Sequence, residues 1–163
     1  MNTKRFLVAA LRGSAVALLI AASAAPGAQP AAAGHGHGAG ALTLKLDEGK
    51  KWETDPPLRQ GMLSIRDAMA ADHAAIGAGK ESAAQYQALT KRLDEQVAYI
   101  VGNCKLKPEA DANLHLVLAD IIAGAEMMKG KNASQRRDGA SKVIRALQTY
   151  PDYFNHPGWR AVD

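Results

Sequence analysis

Cysteine, aromatic residues and enzyme motifs are all scarce in this sequence. It has 163 residues and one cysteine, Cys104, which excludes an intramolecular disulfide framework and a CxxCH haem-attachment motif. Only 5% of the residues are aromatic, so a buried core must be built mostly from aliphatic side chains and methionine. The patterns G-x-S-x-G, HExxH, G-x-G-x-x-G, the P-loop and the Glu-x-x-His pair of di-iron bundles do not occur. We therefore predict a protein that is not an enzyme.

What the sequence does contain begins with a segment typical of a secretory signal peptide. Lys4 and Arg5 form a basic start, residues 6–22 are mainly apolar, and small residues follow. This pattern predicts a signal peptide over residues 1–24, with cleavage after residue 33 as an alternative. The apolar run is short for a membrane span of ~20 residues, and no lipid-modified cysteine follows it. We expect an exported, soluble, periplasmic protein without a stable membrane anchor.

The net charge changes when the signal peptide is removed. The whole chain has 20 basic and 16 acidic side chains and a net charge of +4. Three of the basic side chains, Lys4, Arg5 and Arg12, lie in the signal peptide, which holds no acidic one. The mature chain therefore carries a net charge close to +1, which argues against nucleic acid as a partner.

Two segments separate the signal peptide from the first predicted helix. Residues 25–41 are rich in Ala and Gly and have almost no large apolar side chain, so they predict a flexible tail. Residues 42–55 contain an alternation that includes Leu44 and Leu46, with Trp52 following, and such a pattern suits a strand that has a partner. Because no partner strand is evident, we expect an extended segment that packs these three side chains against the bundle.

From residue 56 the apolar residues recur at the spacing of amphipathic helices. Short connections between four such helices predict an all-α, antiparallel four-helix bundle over residues 56–150. Pro151 is expected to interrupt the fourth helix, and residues 151–163 form an aromatic tail that should fold back. The starts of the helices are marked in chain order by Asp55, Ser82 with Gln85, Pro108, and Asn132 or Ser134.

The connection between the second and third helices contains the most informative side chains. Cys104 closes the apolar stripe of the second helix, while Asp111 and His115 are four residues apart on one face of the third. Helical side chains lean toward the N-terminus, so Cys104 and His115 can converge, and Met62 lies at the same end of the bundle. We predict a metal site of Cys104, His115, Met62 and Asp111, whose soft ligands suit Cu(I). The alternative is structural: a buried inert thiol, a packed methionine and a hydrogen-bonded histidine.

A second group of possible ligands lies in the tail. His35 and His37, in the stretch GHGHG, can chelate Cu(II), Ni(II) or Zn(II), and cleavage after residue 33 would add the terminal amine. The tail would then capture ions that the hairpin site holds. The alternative is a spacer in which the two histidines have no role.

The hairpin signature N-C-x-L-x-P-x-A-D-x-x-L-H resembles that of a family of small exported proteobacterial helical proteins. The pieces LDEGKKWETDPPLRQGM and HPGW extend the resemblance over residues 42–159, and it implies a secreted bundle without a particular mechanism. The architecture is also similar to four-helix-bundle cytochromes of the b562 type. That similarity implies a haem held by Met62 and His156, although Pro151 departs from the continuous last helix of those proteins.

Three functional hypotheses follow from these features. The first is a periplasmic metal-binding protein, above all for copper, acting in storage, buffering or delivery. The second is a non-catalytic interaction or adaptor bundle that contacts another periplasmic protein. The third is electron transfer through a b-type haem.

Overall fold

The computed structural model describes residues 43–162, and this range forms four helices. Each helix packs against its neighbour in the sequence, and the first also contacts the last, which closes the bundle. The predicted all-α four-helix bundle is confirmed. The predicted signal peptide, and the tail over residues 25–41, lie outside the described residues. In chain order the elements are β1 (Trp52–Glu53), α1 (Pro56–Gly77), α2 (Ala83–Asn103), α3 (Pro108–Met128), α4 (Ala133–Tyr153) and β2 (Phe154–Asn155).

The helices begin where the capping residues of the sequence predict. One carboxylate oxygen of Asp55 accepts the first free backbone N–H of α1 at 2.8 Å. Ser82 and Gln85 form the reciprocal capping box at the start of α2. Asn132, and not Ser134, caps α4. α3 has no side-chain cap, and it begins at its proline, which has no N–H to satisfy.

The core is formed by the apolar stripes of the four helices facing one another. Aliphatic side chains and methionine fill most of it, in keeping with the scarcity of aromatic residues. None of the helices in residues 43–162 is both long enough and apolar enough to cross a membrane. The largest fully buried side chains are Tyr86, Tyr150, Phe154, Leu58, Met62, Ile65, Met69, Leu89, Leu93, Ile100, Leu114 and Ile121.

The expectation that Pro151 interrupts the fourth helix is wrong, because α4 continues through it to Tyr153. A proline in the interior of a helix removes one backbone hydrogen bond and crowds the preceding turn. Here it removes only the hydrogen bond to the carbonyl of Leu147, and since the helix ends two residues later, little regular helix follows the position that it disturbs. The chain leaves α4 only at Phe154, which is in extended conformation.

The segment before α1 has a partner strand after all. Trp52 of β1 pairs in parallel with Phe154 of β2, and both side chains are buried. A pairing of two residues is too short to leave a period-two pattern in the sequence, so the second strand could not be recognised there. Trp52 packs as expected and its indole N–H donates to the carbonyl of Lys45 at 2.7 Å.

Leu46 does not pack against the bundle. It is 41% exposed, whereas Leu44 is partly buried against the core. Directly after Leu46 the chain reverses in a tight turn, in which Asp47 and Lys50 exchange backbone hydrogen bonds at 2.8 Å. The turn ends the alternation that the sequence suggested, and it leaves Leu46 at the surface.

Candidate functional site

A cleft of about 460 Å³ opens where the C-terminal end of α2 meets the N-terminal end of α3. The short connection between these helices forms one rim, and the two helices form the walls. Cys104, Asp111 and His115 all contribute to the lining, so the structure brings three of the predicted site residues to one cleft. The apolar part of the lining consists of Ile100, Val101, Leu106, Pro108, Leu114 and Leu118.

Cys104 is the residue at which α2 ends. Its backbone N–H donates the last hydrogen bond of α2 to the carbonyl of Ile100 at 2.9 Å, and its side chain is partly buried. Burial, together with the negative charges of Asp55 and Asp111, raises the pKa of the Cys104 thiol to about 11. A thiol in this environment keeps its proton at neutral pH. The same negative field favours any cation that takes the place of that proton.

His115 lies on the rim, with 60% of its side chain exposed. Its Nδ1 lies 2.9 Å from the backbone carbonyl oxygen of Asp111 and 3.3 Å from the Asp111 carboxylate. When the neutral ring donates its Nδ1–H to that carbonyl, Nε2 carries the free lone pair. In metal-binding histidines, the ring nitrogen that does not bind the metal commonly donates such a hydrogen bond, because the bond fixes the orientation of the ring and its tautomer.

Asp55 connects the cleft to the start of α1. One of its carboxylate oxygens caps α1, and the other accepts the backbone N–H of Lys105 at 2.6 Å. This bond holds the connection between α2 and α3 directly after Cys104. The sequence indicates the capping role of Asp55, but its second bond spans 50 residues and could not be predicted from local pattern.

The fourth predicted ligand, Met62, does not reach the cleft. Its side chain is fully buried in the core, and it is not among the residues that line the cleft. The physical reason is its helical position, since it belongs to the inward stripe of α1 between Leu58 and Ile65. Within residues 43–162 no group of three or more His, Cys, Asp or Glu side chains is arranged to hold a metal ion. The cleft therefore offers the thiol and the imidazole as candidate ligands, with Asp111 as the partner of the histidine.

The residues of the haem hypothesis are both buried, but in different surroundings. Met62 packs within the core, while His156 has its Nδ1 3.1 Å from the hydroxyl oxygen of Tyr150. The imidazole also packs edge-on against the Tyr150 ring. One nitrogen of His156 is thus already hydrogen-bonded to a residue of α4.

The two tail histidines, His35 and His37, lie outside the part of the chain that the structure describes.

Comparison with known proteins adds no relative. No family model, curated protein or solved structure matches this chain. The resemblance drawn from the hairpin signature therefore stays a prediction.

Proposed function

We propose that this protein is an exported, periplasmic, non-catalytic metal-binding bundle that holds Cu(I) in the cleft between α2 and α3. Storage, buffering or delivery of copper is the role that such a site would serve. The observation that carries the proposal is the presence of Cys104 and His115 in the lining of one cleft, with the Nδ1 of His115 beside a backbone carbonyl.

The number and kind of ligands favour Cu(I) over other metals. Thiolate and imidazole are the ligand types that soft and borderline ions prefer. Structural zinc sites take four such ligands in a tetrahedron, which is more than residues 43–162 offer in one place. Cu(I) is stable with only two ligands, one on each side, so Cys104 and His115 could form a complete site for it.

The electrostatics of the cleft are compatible with a bound cation. Asp55 and Asp111 stabilise the protonated form of the Cys104 thiol, because a thiolate would repel both carboxylates. A bound Cu(I) replaces the proton and meets the same negative field. Binding at neutral pH therefore releases the proton of the thiol, and we expect affinity to fall as the solution becomes more acidic.

The segments outside the described residues complete the proposal. A signal peptide over residues 1–24 would deliver the chain to the periplasm. His35 and His37 would then form a weak capture site for divalent ions in the tail, ahead of the cleft. The tail and the cleft are separate sites in this proposal, and each can be removed without the other.

An anaerobic titration of the apo protein with Cu(I), against a coloured Cu(I) chelator, tests the site. We expect one tightly held Cu(I) per chain, loss of that site in Cys104→Ser, and a clear loss of affinity in His115→Ala. His73→Ala is the matched control, because His73 lies on α1 and does not line the cleft. A double His35→Ala, His37→Ala variant should keep the Cu(I) site. Equal copper uptake by wild type and Cys104→Ser would contradict the proposal.

A second candidate function is binding of a partner protein in the same cleft. It is favoured by Val101, which lines the cleft and is 62% exposed, a large value for a β-branched apolar side chain. The same titration, extended to Zn(II) and haemin, separates the candidates. Uptake of none of the three would leave the adaptor role, and uptake of haemin alone would favour the haem hypothesis.

A further inference from the structure

The residues after α4 fold back onto the bundle and form what we call the clasp, residues 154–162. Phe154, His156 and Val162 of the clasp are all buried. The clasp begins with β2, whose pairing with β1 ties it to Trp52. Both tryptophans of the chain, Trp52 and Trp159, are therefore in or against this one structure.

The clasp is centred on an aromatic cluster around His156, which is 7% exposed. The ring of Phe154 stacks on that of Tyr150 with centroids 5.0 Å apart, and Trp159 lies over the same ring at 4.9 Å. The imidazole of His156 lies 5.0 Å from the Trp159 ring. His156 thus packs against the rings of Tyr150 and Trp159 and shares one hydrogen bond with Tyr150.

The charges that face His156 are both positive. Burial, and then the positive charges of Arg59 and Arg66 on α1, lower the pKa of His156. From α4 it meets the hydroxyl of Tyr150, whose own pKa is raised, mainly by burial. Within the described residues, the buried Nε2 of His156 has no hydrogen-bond partner. A protonated His156 would therefore be a buried cation near two partly buried guanidinium groups, and no carboxylate is among the charges that act on it.

A chain of hydrogen bonds connects the clasp to the cleft. The hydroxyl of Thr54 donates to the carbonyl of Asn155 in β2 at 2.6 Å. Arg59 donates to both the carbonyl and the hydroxyl oxygen of Thr54. The next residue is Asp55, which accepts the backbone N–H of Lys105 beside Cys104.

We propose that His156 makes the clasp acid-sensitive: protonation of its buried imidazole releases residues 154–162 from the bundle while the four helices stay folded. Release would also remove the bond from β2 to Thr54, the residue before Asp55, and so loosen the rim of the cleft. The release is a property of the clasp alone and does not depend on copper binding.

The direction of the pH effect follows from the sign of the pKa change. A histidine whose pKa is lowered in the closed clasp binds a proton more readily once the clasp opens. Its contribution to closure is therefore present above the ordinary histidine value, ~6.5, and is lost as the pH falls through the lower value of the closed clasp. Opening is expected in mildly acidic solution, below pH ~6.5.

Because both tryptophans lie at the clasp, their fluorescence reports on it. We expect the emission of the wild-type protein to shift to longer wavelength as the pH is lowered from 7.5, while the helical circular dichroism stays constant. His156→Gln, which cannot take up a proton, should show no such shift over the same range. Wild-type emission that stays constant until helix is lost would overturn the proposal.

A second variant keeps the test decisive if His156→Gln is already open at neutral pH. Arg66→Gln removes one of the two cations and brings the pKa of His156 closer to its ordinary value, so the acid shift should weaken or move to lower pH. If Arg66→Gln only weakened the packing of the clasp, the midpoint of opening would move to higher pH. Arg145→Gln, an exposed arginine of α4 whose charge does not act on His156, is the matched control and should leave the midpoint unchanged. A midpoint that moves up in Arg66→Gln, or that matches the control, would contradict the role of His156.

Discussion

At the scale of single residues, the properties of Cys104 depend on two carboxylates from different parts of the chain. Asp111 is one helical turn into α3, and Asp55 is the N-cap of α1. Both act, after burial, to keep the thiol protonated. A reactive redox cysteine needs the opposite environment, with positive charge and a lowered pKa. Cys104 thus lacks the environment of a reactive redox thiol.

Alkylation measures this property directly. At pH 8 we expect iodoacetamide to modify Cys104 roughly tenfold to a hundredfold more slowly than a free cysteine, because little thiolate is present. The rate should still be rising at pH 10, since the pKa of the thiol is raised to about 11. Asp111→Asn removes one negative charge, lowers the pKa and should speed the reaction at pH 8.

The control for this measurement is Asp120→Asn, which changes an exposed carboxylate of α3 that pairs with Lys142 and does not line the cleft. It should leave the rate at pH 8 unchanged. A rate for Asp111→Asn equal to that of the wild type would mean that Asp111 does not contribute to the raised pKa of Cys104.

At the scale of elements, α3 and α4 are in close contact at a pair of glycines, Gly124 and Gly139. A Cβ added at Gly124 would lie 2.6 Å from a methyl carbon of Val143 and 2.7 Å from the carbonyl oxygen of Gly139. A Cβ added at Gly139 would lie 2.5 Å from the carbonyl oxygen of Gly124. Backbone atoms cannot move aside as the end of a side chain can. The two glycines therefore permit this contact, despite their cost in helix propensity.

Gly124→Ala is expected to destabilise the bundle by ~1–3 kcal/mol, because the added methyl group forces the two helices apart. Chemical denaturation followed by circular dichroism measures the change. Gly102→Ala is the matched control on α2, where the added Cβ would meet nothing within 4 Å. That substitution should be neutral or stabilising, by up to ~1 kcal/mol, since alanine is the better helix former. Equal effects of the two substitutions would show that α3 and α4 do not pack as described.

How far each element could be predicted depends on whether its cause is local. The N-caps at Asp55, Ser82 and Asn132 are local, because a side chain bonds a backbone N–H within the next turn. The sequence predicts the first two and gives Asn132 as one of two candidates for the third. The parallel pairing of Trp52 with Phe154 joins residues that are far apart in the chain, and no local pattern indicates it. The continuation of α4 through Pro151 is not predicted from the sequence, because the free energy that a proline costs depends on how much helix follows it.

At the scale of the whole molecule, the periodicity of apolar residues was enough to predict the bundle, whereas the site was predicted only in part. Cys104, Asp111 and His115 share a cleft because the connection between their helices is short. The sequence predicts that Met62 lies at the same end of the bundle, but its position along α1 does not determine which way its side chain faces. The direction is set by the position of Met62 in the inward-facing apolar stripe of α1, which buries its thioether in the core.

If the cleft binds Cu(I) as proposed, binding should be visible in the stability of the whole bundle. A ligand that binds only the folded state at a hundredfold excess over its Kd stabilises it by ~2.7 kcal/mol, which corresponds to a rise of several degrees in Tm. We expect this rise in the wild type under anaerobic Cu(I), its loss in Cys104→Ser, and its reversal when a Cu(I) chelator is added. Met62→Leu preserves side-chain volume and should lower the Tm of the apo protein slightly while keeping the increment with copper. If Met62→Leu lost the increment instead, the thioether would be a ligand, and the core around it would have to open to admit the metal.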